Sequence, residues 1–300
     1  MSKKLILFFW LLFVFIFSRS FAQDYTNQIY VIPKVALILP KDSSIQSFWF
    51  VNPQNYSANH KLEFCVTNQA IVGYMDKFLF FPKQNGFIAV DGGYSGFVCL
   101  DESTMLVYNK STFGYLKISS IHNKLSKATI EPVGSLESNS KLFVGLNKTL
   151  YSLSFDSKTR TYKIYIFDKK RKPPAFVAVY SQQEPISSVS GVGENIIIAS
   201  QDKIYMVKDG KRLLYYNNQN KNYNQIIYSG YGIFYTTADS VGFIQNAQAM
   251  EFVKAENPKI FLKDNVLFVM FPTNMGIIGL SNIDELRKYN FPVKSLKWKD

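Results

Sequence analysis

The fold is decided by the stretch Glu194–Lys208, which reads ENIIIASQDKIYMVK. It contains two short apolar runs, Ile196–Ala199 and Ile204–Val207, separated by the polar pair Gln201 and Asp202. Short runs that are rich in isoleucine and tyrosine and bounded by turn residues are typical of β-strands joined in a hairpin. The stretch therefore predicts a strand, a turn and a second strand.

This unit recurs along the chain. A polar position, an apolar run, a polar turn and a second apolar run begin at Asp76, Ser138, Glu194, Gly230 and Asp264, and the turn follows 8 to 10 residues later. Together with one further strand pair, the predicted turn residues are Asn85, Asn109, Asn147, Asp202, Asp239 and Asn274. The last two steps between these turns are 37 and 35 residues, a little below the roughly 40 to 50 residues of a propeller blade.

Composition supports an all-β chain. Hydrophobic residues make up 47% of the 300 residues and aromatic residues 16%, which is enough to build a sizeable core and argues against disorder. Aromatic and β-branched side chains favour strands. Beyond the N-terminus, the sequence shows a helical pattern only over the short segment Asn282–Tyr289.

The strand–turn–strand units ENIIIASQDKIYMV and DNVLFVMFPTNMGIIGL, which begin at Glu194 and Asp264, resemble the inner hairpins of β-propeller repeat proteins. The resemblance covers roughly residues 76–280, without the W-D dipeptide, kelch double glycine or quinoprotein tryptophan motif. It implies a propeller of six or seven blades over residues 23–300, closed by an N-terminal strand at Val35–Leu39 or Ile29–Ile32. A pair of β-sandwiches is the alternative fold. A propeller fold implies no particular activity.

The first 22 residues have the pattern of a signal peptide. Lys3 and Lys4 precede the apolar run Leu5–Phe17, and Ser20-Phe21-Ala22 offers small residues at a cleavage site before Gln23. The run of 13 apolar residues is shorter than the roughly 20 that span a bilayer. We therefore expect a periplasmic or secreted protein, with a retained membrane anchor as the alternative.

Export gives a first testable prediction. The mature protein should begin at or near Gln23, because signal peptidase cleaves after small residues. N-terminal sequencing of the protein from the envelope or the medium checks this. Recovery of a chain with Met1 intact from the cytosol would contradict it.

The chain is basic, with a formal net charge of +12 at pH 7. An exported basic protein is suited to a protein partner or an anionic envelope component, including peripheral contact with anionic lipid head groups. Nucleic acid is disfavoured as a partner because of the export signal. The alternative interpretation is that the lysines only keep the protein soluble.

Four consecutive cations concentrate part of this charge. Lys169, Lys170, Arg171 and Lys172 follow the alternating strand Tyr162–Phe167 and are closed by Pro173-Pro174. This stiff basic loop is a candidate site for an anionic partner. The other interpretation, which we favour from the sequence alone, is a solvated connection between blades.

The sequence has two cysteines, Cys65 and Cys99, on the predicted strands Leu62–Val66 and Phe97–Leu100. In an oxidising compartment an even pair of cysteines is a candidate disulfide. Two buried free thiols are the alternative. Two cysteines without metal-site spacing do not predict a metal.

No catalytic residue, cofactor or metal is predicted. The two histidines, His60 and His122, belong to no known motif. The glycine-rich stretch Asp91–Gly96 fits a strand connection better than an anion-binding nest, and the polar tract Asn217–Asn224 fits a surface loop. The acidic residues Asp76, Glu194, Asp239 and Asp264 recur at hairpin boundaries. They could surround one mouth as a calcium-type site, but Asp also stabilises turns through its own side chain, and we favour the turn role.

The sequence therefore predicts an exported, non-catalytic binding or scaffold protein that acts through propeller loops in a protein assembly at the cell envelope. One alternative is a propeller hydrolase of the lactonase type with an oxygen-ligated cation. A surface structural or adhesion protein is another. Thermal melting with calcium and with chelator would separate binding protein from hydrolase, because a bound cation stabilises only the folded state.

Overall fold

A computed structural model describes residues 30–32, 35–38, 45–50, 62–66, 71–75, 78–81, 86–89, 94, 96–101, 104–121, 124–263, 266–271, 276–280 and 297–299. The predicted signal peptide and the predicted helix Asn282–Tyr289 lie outside these residues. Within them, no helix has the length and apolar character needed to cross a bilayer.

In the described part of the chain, six antiparallel sheets of four strands follow one another. The N-terminal strands are β1 (Tyr30–Ile32), β2 (Val35–Ile38) and β3 (Ile45–Phe50). The strands of each sheet are given in their order across the sheet. Sheet I consists of β4 (Leu62–Val66), β5 (Ile71–Met75), β6 (Phe78–Phe81) and β7 (Gly86–Ala89), sheet II of β8 (Gly96–Cys99), β9 (Met105–Tyr108), β10 (Thr112–Ile121) and β11 (Lys124–Ser135), and sheet III of β12 (Lys141–Val144), β13 (Leu150–Asp156), β14 (Thr161–Asp168) and β15 (Ala175–Gln182). Sheet IV consists of β16 (Ser188–Val192), β17 (Asn195–Ser200), β18 (Lys203–Lys208) and β19 (Lys211–Asn217), sheet V of β20 (Gln225–Tyr228), β21 (Ile233–Thr236), β22 (Ser240–Gln245) and β23 (Gln248–Lys254), and sheet VI of β24 (Lys259–Lys263), β25 (Val266–Phe271), β26 (Gly276–Leu280) and β3. The predicted all-β class with repeated antiparallel sheets is confirmed.

The first strands of the six sheets contact one another in a closed ring, from β4 through β8, β12, β16 and β20 to β24 and back to β4. The inner edge of each first strand has no neighbouring strand in its own sheet, so its backbone groups need other partners. Side chains of the preceding sheet supply them at several points. The side-chain oxygens of Ser188 and Ser190 accept hydrogen bonds from the backbone N–H groups of Ile226 and Tyr228 at 3.1 and 2.9 Å. Because the residue numbers increase together in these two pairs, β16 and β20 run parallel.

The core lies between consecutive sheets. Tyr151 and Ile164 of sheet III pack with Ile196 and Ile198 of sheet IV, and the next interfaces are built in the same way. Alternation along each strand sends one set of side chains to each neighbouring sheet, which explains why nearly every strand in the middle of a sheet is apolar on both faces. Burial of these side chains is the main contribution that stabilises the ring.

The fourth strands of sheets II to V each carry a β-bulge that turns an extra apolar residue toward a neighbouring sheet. The unpaired residues are Val133, Val179, Tyr215 and Phe252. Phe252 is fully buried, and the other three pack against the inter-sheet clusters. Each bulge also increases the local twist and interrupts the regular pairing register of the outer strand at that point.

The predicted repeat was partly out of phase. Asn109, Asp202 and Asp239 lie between the second and third strands of their sheets, as the repeat requires. Asn147 instead lies between the first and second strands of sheet III, in a 3-10 turn with φ 56°, and the position of Asn85 in the chain falls between β6 and β7. Every hairpin of a four-stranded sheet carries similar turn residues, so the turn pattern alone does not identify which hairpin it belongs to. The irregular steps at the start of the repeat follow from this slip.

The predicted closing strand was also wrong. The strand that completes sheet VI is β3, which pairs with β26 from Ile45 opposite Leu280 to Phe50 opposite Gly276. The two predicted segments contribute β1 and β2 to a separate three-stranded sheet with β27 (Lys297–Lys299). All three N-terminal segments have the same apolar strand pattern, and only long-range pairing distinguishes them.

Candidate functional site

A cavity of about 450 Å³ lies among the first strands and is lined by residues of all six sheets. Its size falls within the roughly 300 to 1,000 Å³ of small-molecule sites. The walls are apolar, formed by side chains such as Phe64, Phe143, Ile226 and Phe261. The charged residues on its lining are Glu63, Asp101, Lys141, Lys148, Lys259 and Lys263.

Both carboxylates on this lining are engaged in the structure of the ring. Glu63 Oε2 accepts the backbone N–H of Phe97 on the next sheet at 3.0 Å. Asp101 accepts the N–H of Thr104 with one oxygen at 2.8 Å and pairs with the Lys148 ammonium through the other at 3.2 Å. These two carboxylates therefore connect neighbouring sheets and turns. The lining contains four lysines and two acidic residues.

The described residues do not form the calcium-type site that was considered as one interpretation of the acidic residues at hairpin boundaries. Glu194 joins β16 to β17 and Asp239 joins β21 to β22. Since β16 and β20 run parallel and successive strands are antiparallel, these two turns lie at opposite ends of their sheets and cannot surround one mouth. Among the described residues, no group of three or more His, Cys, Asp or Glu side chains could hold a metal ion. Asp76, Asp264, His60 and His122 lie outside the described residues.

Asp239 has the predicted role in a turn. Its carboxylate accepts the Thr237 hydroxyl at 2.7 Å and pairs with Lys221 at 3.3 Å. The hydrogen bond from Thr237, followed by the charge of Lys221, holds the pKa of Asp239 below its ordinary value. Asn109 acts similarly, since its side-chain oxygen accepts the N–H groups of Ser111 and Thr112 at 2.9 and 2.8 Å.

The polar tract Asn217–Asn224 is a surface loop with one exception. Tyr223 is fully buried and packs edge-on against Tyr235, with ring centroids 5.2 Å apart. The expectation that this tract cannot contribute to a core was therefore wrong at that position, because one aromatic ring anchors the loop between sheets IV and V.

The basic loop Lys169–Lys172 is exposed at all four positions. It is the turn that joins β14 to β15 within sheet III, so the interpretation as a connection between blades was wrong. Asp168 accepts the N–H of Lys170 at 2.9 Å and closes the turn. Within the part of the chain that the structure describes, none of the four cations forms a salt bridge.

Cys65 and Cys99 lie on β4 and β8, the adjoining first strands of sheets I and II. Both are buried, their Cα atoms are 5.8 Å apart, and the structure joins them as a disulfide. This separation falls in the range of disulfide geometry. The bridge links two sheets of the ring, and its presence in the exported protein stays a prediction that is tested below.

An apolar surface patch was missed by sequence reasoning. The exposed large apolar side chains of the described residues are Met206, Leu213, Leu214 and Tyr231, at 44%, 67%, 58% and 52% exposure. The first three lie on β18 and β19, with Met206 and Leu213 on one face of the sheet and Leu214 on the other. A signal was present, because the run Leu213–Tyr216 breaks the alternation expected of a half-exposed strand.

The ring of radially arranged four-stranded antiparallel sheets defines a protein of the β-propeller class. No family model matches the chain, and no curated protein matches its sequence. Among solved structures, it is similar to a gluconolactonase from Xanthomonas campestris, with a TM-score of 0.51 and 8% identity over 84% of this chain and 94% of that one.

Two further structures are less similar. One is the extracellular domain of a hybrid two component system from B. thetaiotaomicron, with a TM-score of 0.48 and 12% identity over 75% of this chain and 32% of that one. The other is BamB from Moraxella catarrhalis, with a TM-score of 0.37 and 12% identity over 73% and 69%. At such low identity, likeness to solved structures concerns the fold alone.

Proposed function

We propose that this chain is a six-bladed, exported, non-catalytic propeller that binds an anionic protein partner through its loops, as part of an assembly at the cell envelope. The observation that carries this proposal is the basic loop Lys169–Lys172, which is exposed and forms no salt bridge within the described part of the chain. Four adjacent cations repel one another, and an anionic partner relieves that repulsion.

The cavity supports binding over hydrolysis. Its carboxylates, Glu63 and Asp101, already accept backbone N–H groups, and Asp101 is paired with Lys148. The same lining carries four lysines against these two carboxylates, and one of them, Lys148, already neutralises Asp101. The arrangement of donors in the described residues therefore does not favour the alternative of a cation-dependent lactonase.

Replacing Lys169, Lys170, Arg171 and Lys172 together by serine should abolish most of the salt-sensitive capture of the partner. Attraction between exposed charges is screened beyond about 8 Å at physiological salt, so capture by the unmodified protein should weaken steeply as salt rises. Each of the four substitutions should change the free energy of unfolding by no more than about 0.5 kcal/mol, because the four positions are exposed. The measurement is recovery of envelope proteins on the immobilised propeller at low and high salt.

A matched control removes the same amount of charge elsewhere. Lys110, Lys158, Arg160 and Lys254 are also exposed and lie in other turns or strand ends, so their replacement by serine should leave capture nearly unchanged. If both quadruple variants lose capture equally, net charge and not the loop is responsible. If neither loses it, the loop is only a solvated turn and the proposal fails.

A further inference from the structure

The outer edge of sheet IV is open for pairing. β19 is the last strand in the order β16-β17-β18-β19, and it pairs on one side only, with β18. Within the described residues, no strand lies on its other side. An open edge presents a row of backbone N–H and C=O groups, which is a template for an added strand.

The edge of sheet IV differs from its counterparts in its side chains. Leu213 lies opposite Met206 on one face of the sheet, and Leu214 lies opposite Tyr205 on the other, so both faces of the edge are apolar. The exposed positions of β15 are Ala178 and Ser181, and those of β23 are Gln248, Ala249 and Lys254. Isolated exposed leucines are ordinary, but a cluster of them on an open edge marks an interaction site.

Two contacts hold this edge in place. The Arg212 guanidinium binds both carboxylate oxygens of Glu184, at 2.6 and 2.9 Å, and its carbon lies 4.6 Å from the centroid of the Tyr205 ring. The bulge at Tyr215 ends the regular pairing register. The segment Lys211–Leu214 is therefore a short, preorganised edge of four residues, and preorganisation lowers the entropic cost of docking.

Charge determines which occupant fits. Lys208 and Lys211 lie opposite each other where β18 turns into β19. Both are exposed, as is Asp209 in the turn between them, so the turn keeps a net positive charge. The basic loop Lys169–Lys172 occupies the corresponding turn, between third and fourth strands, of the preceding sheet. A second copy would add to this repulsion, because residues 23–300 keep a formal net charge of +9 once Lys3, Lys4 and Arg19 are removed with the signal peptide. An acidic segment would relieve it.

We propose that Lys211–Leu214 docks an extended segment of an acidic partner protein, which adds as a fifth strand to sheet IV. Apolar residues of that segment cover Leu213, Leu214 and Met206, while its acidic residues meet Lys208 and Lys211. Backbone pairing supplies affinity and the alternating side chains supply specificity. This inference rests on the proposed function as a binding protein and names the chemistry of the partner.

The test uses a fluorescein-labelled peptide of two glutamates followed by four valines, so that apolar side chains reach both faces of the edge. A second peptide has lysines in place of the glutamates. Anisotropy should show saturable binding of the acidic peptide and much weaker binding of the basic one. Hydrogen exchange should slow at the amides of Lys211–Leu214 when the acidic peptide is bound. If those amides gain no protection at millimolar peptide, the proposal is overturned.

The matched variants separate docking from folding. The double substitution Leu213→Ser and Leu214→Ser should weaken binding about tenfold or more, because serine lacks the apolar surface that the added strand would bury at both positions, with little change in thermal melting. Ala178→Ser with Ala249→Ser, on the exposed faces of other outer strands, should leave binding unchanged. Equal binding by both double variants would overturn the proposal.

Two outcomes distinguish this inference from the proposed function. If the serine variant of the basic loop loses no partner capture but the acidic peptide still protects β19, the loop proposal fails and the docking edge stands. If sedimentation shows a dimer that the Leu213→Ser, Leu214→Ser variant cannot form, the occupant is a second copy. That result would overturn the assignment to an acidic partner.

Discussion

Replacing Phe234 by alanine should lower the free energy of unfolding by about 3 to 5 kcal/mol, the usual loss for a fully buried phenylalanine. Phe234 lies in the middle of sheet V with no exposed surface. Its ring centroid is 4.6 Å from that of Phe243 and 6.4 Å from that of Phe252. The surrounding rings belong to paired strands that cannot collapse into the space left behind, so the cavity remains.

Chemical denaturation of the purified protein measures this loss. Phe234→Leu keeps most of the volume and should cost less than the alanine variant. Gln248→Ala provides the control in the same sheet, because that side chain is exposed on β23, and it should change stability by no more than about 0.5 kcal/mol. A loss below about 1 kcal/mol for Phe234→Ala would mean that sheet V is not packed as described.

Removing the Cys65–Cys99 bridge should lower stability by about 4 kcal/mol, mainly because the unfolded chain regains the freedom of the closed loop. The two cysteines are 34 residues apart in sequence, and they join the first strands of sheets I and II. Comparison of the oxidised protein with the same protein after reduction measures the effect without a change of sequence. The Cys65→Ala, Cys99→Ala variant should unfold at a similar denaturant concentration to the reduced protein.

Mass spectrometry of the non-reduced, denatured protein decides whether the bridge exists. With a bridge, an alkylating agent labels neither cysteine until a reductant is added. If both thiols are labelled in the exported protein without reductant, the bridge is absent, and reduction should then leave stability unchanged.

Local patterns in the sequence were sufficient to predict most strands. The runs Ile196–Ala199 and Ile204–Val207 lie within β17 and β18, and Tyr162–Phe167 lies within β14. Each could be found because side-chain alternation and polar turns are encoded within about ten residues. The phase of the repeat and the identity of the closing strand depend on contacts between distant residues, which no short pattern contains.

Of the two candidate binding surfaces, one could be predicted from local sequence and the other could not. The basic loop was predictable because four adjacent cations cannot be buried without partners. The leucines of β19 were not, since an apolar run is usually a sign of burial. Their exposure follows from the place of β19 at the outer edge of sheet IV and from the bulge at Tyr215, and both are properties of the assembled sheet.

The pairing of β3 with β26 has a consequence for the order of events in the cell. Ile45 is synthesised, and on export would cross the membrane, long before its partner Leu280. Because translation proceeds from the N-terminus, β3 has no partner until β26 has been synthesised, and closing so long a loop is slow. Completion of the ring is therefore a late step in maturation. In that interval β3 can pair with β26 of another molecule, so this strand pair is a natural point for domain swapping.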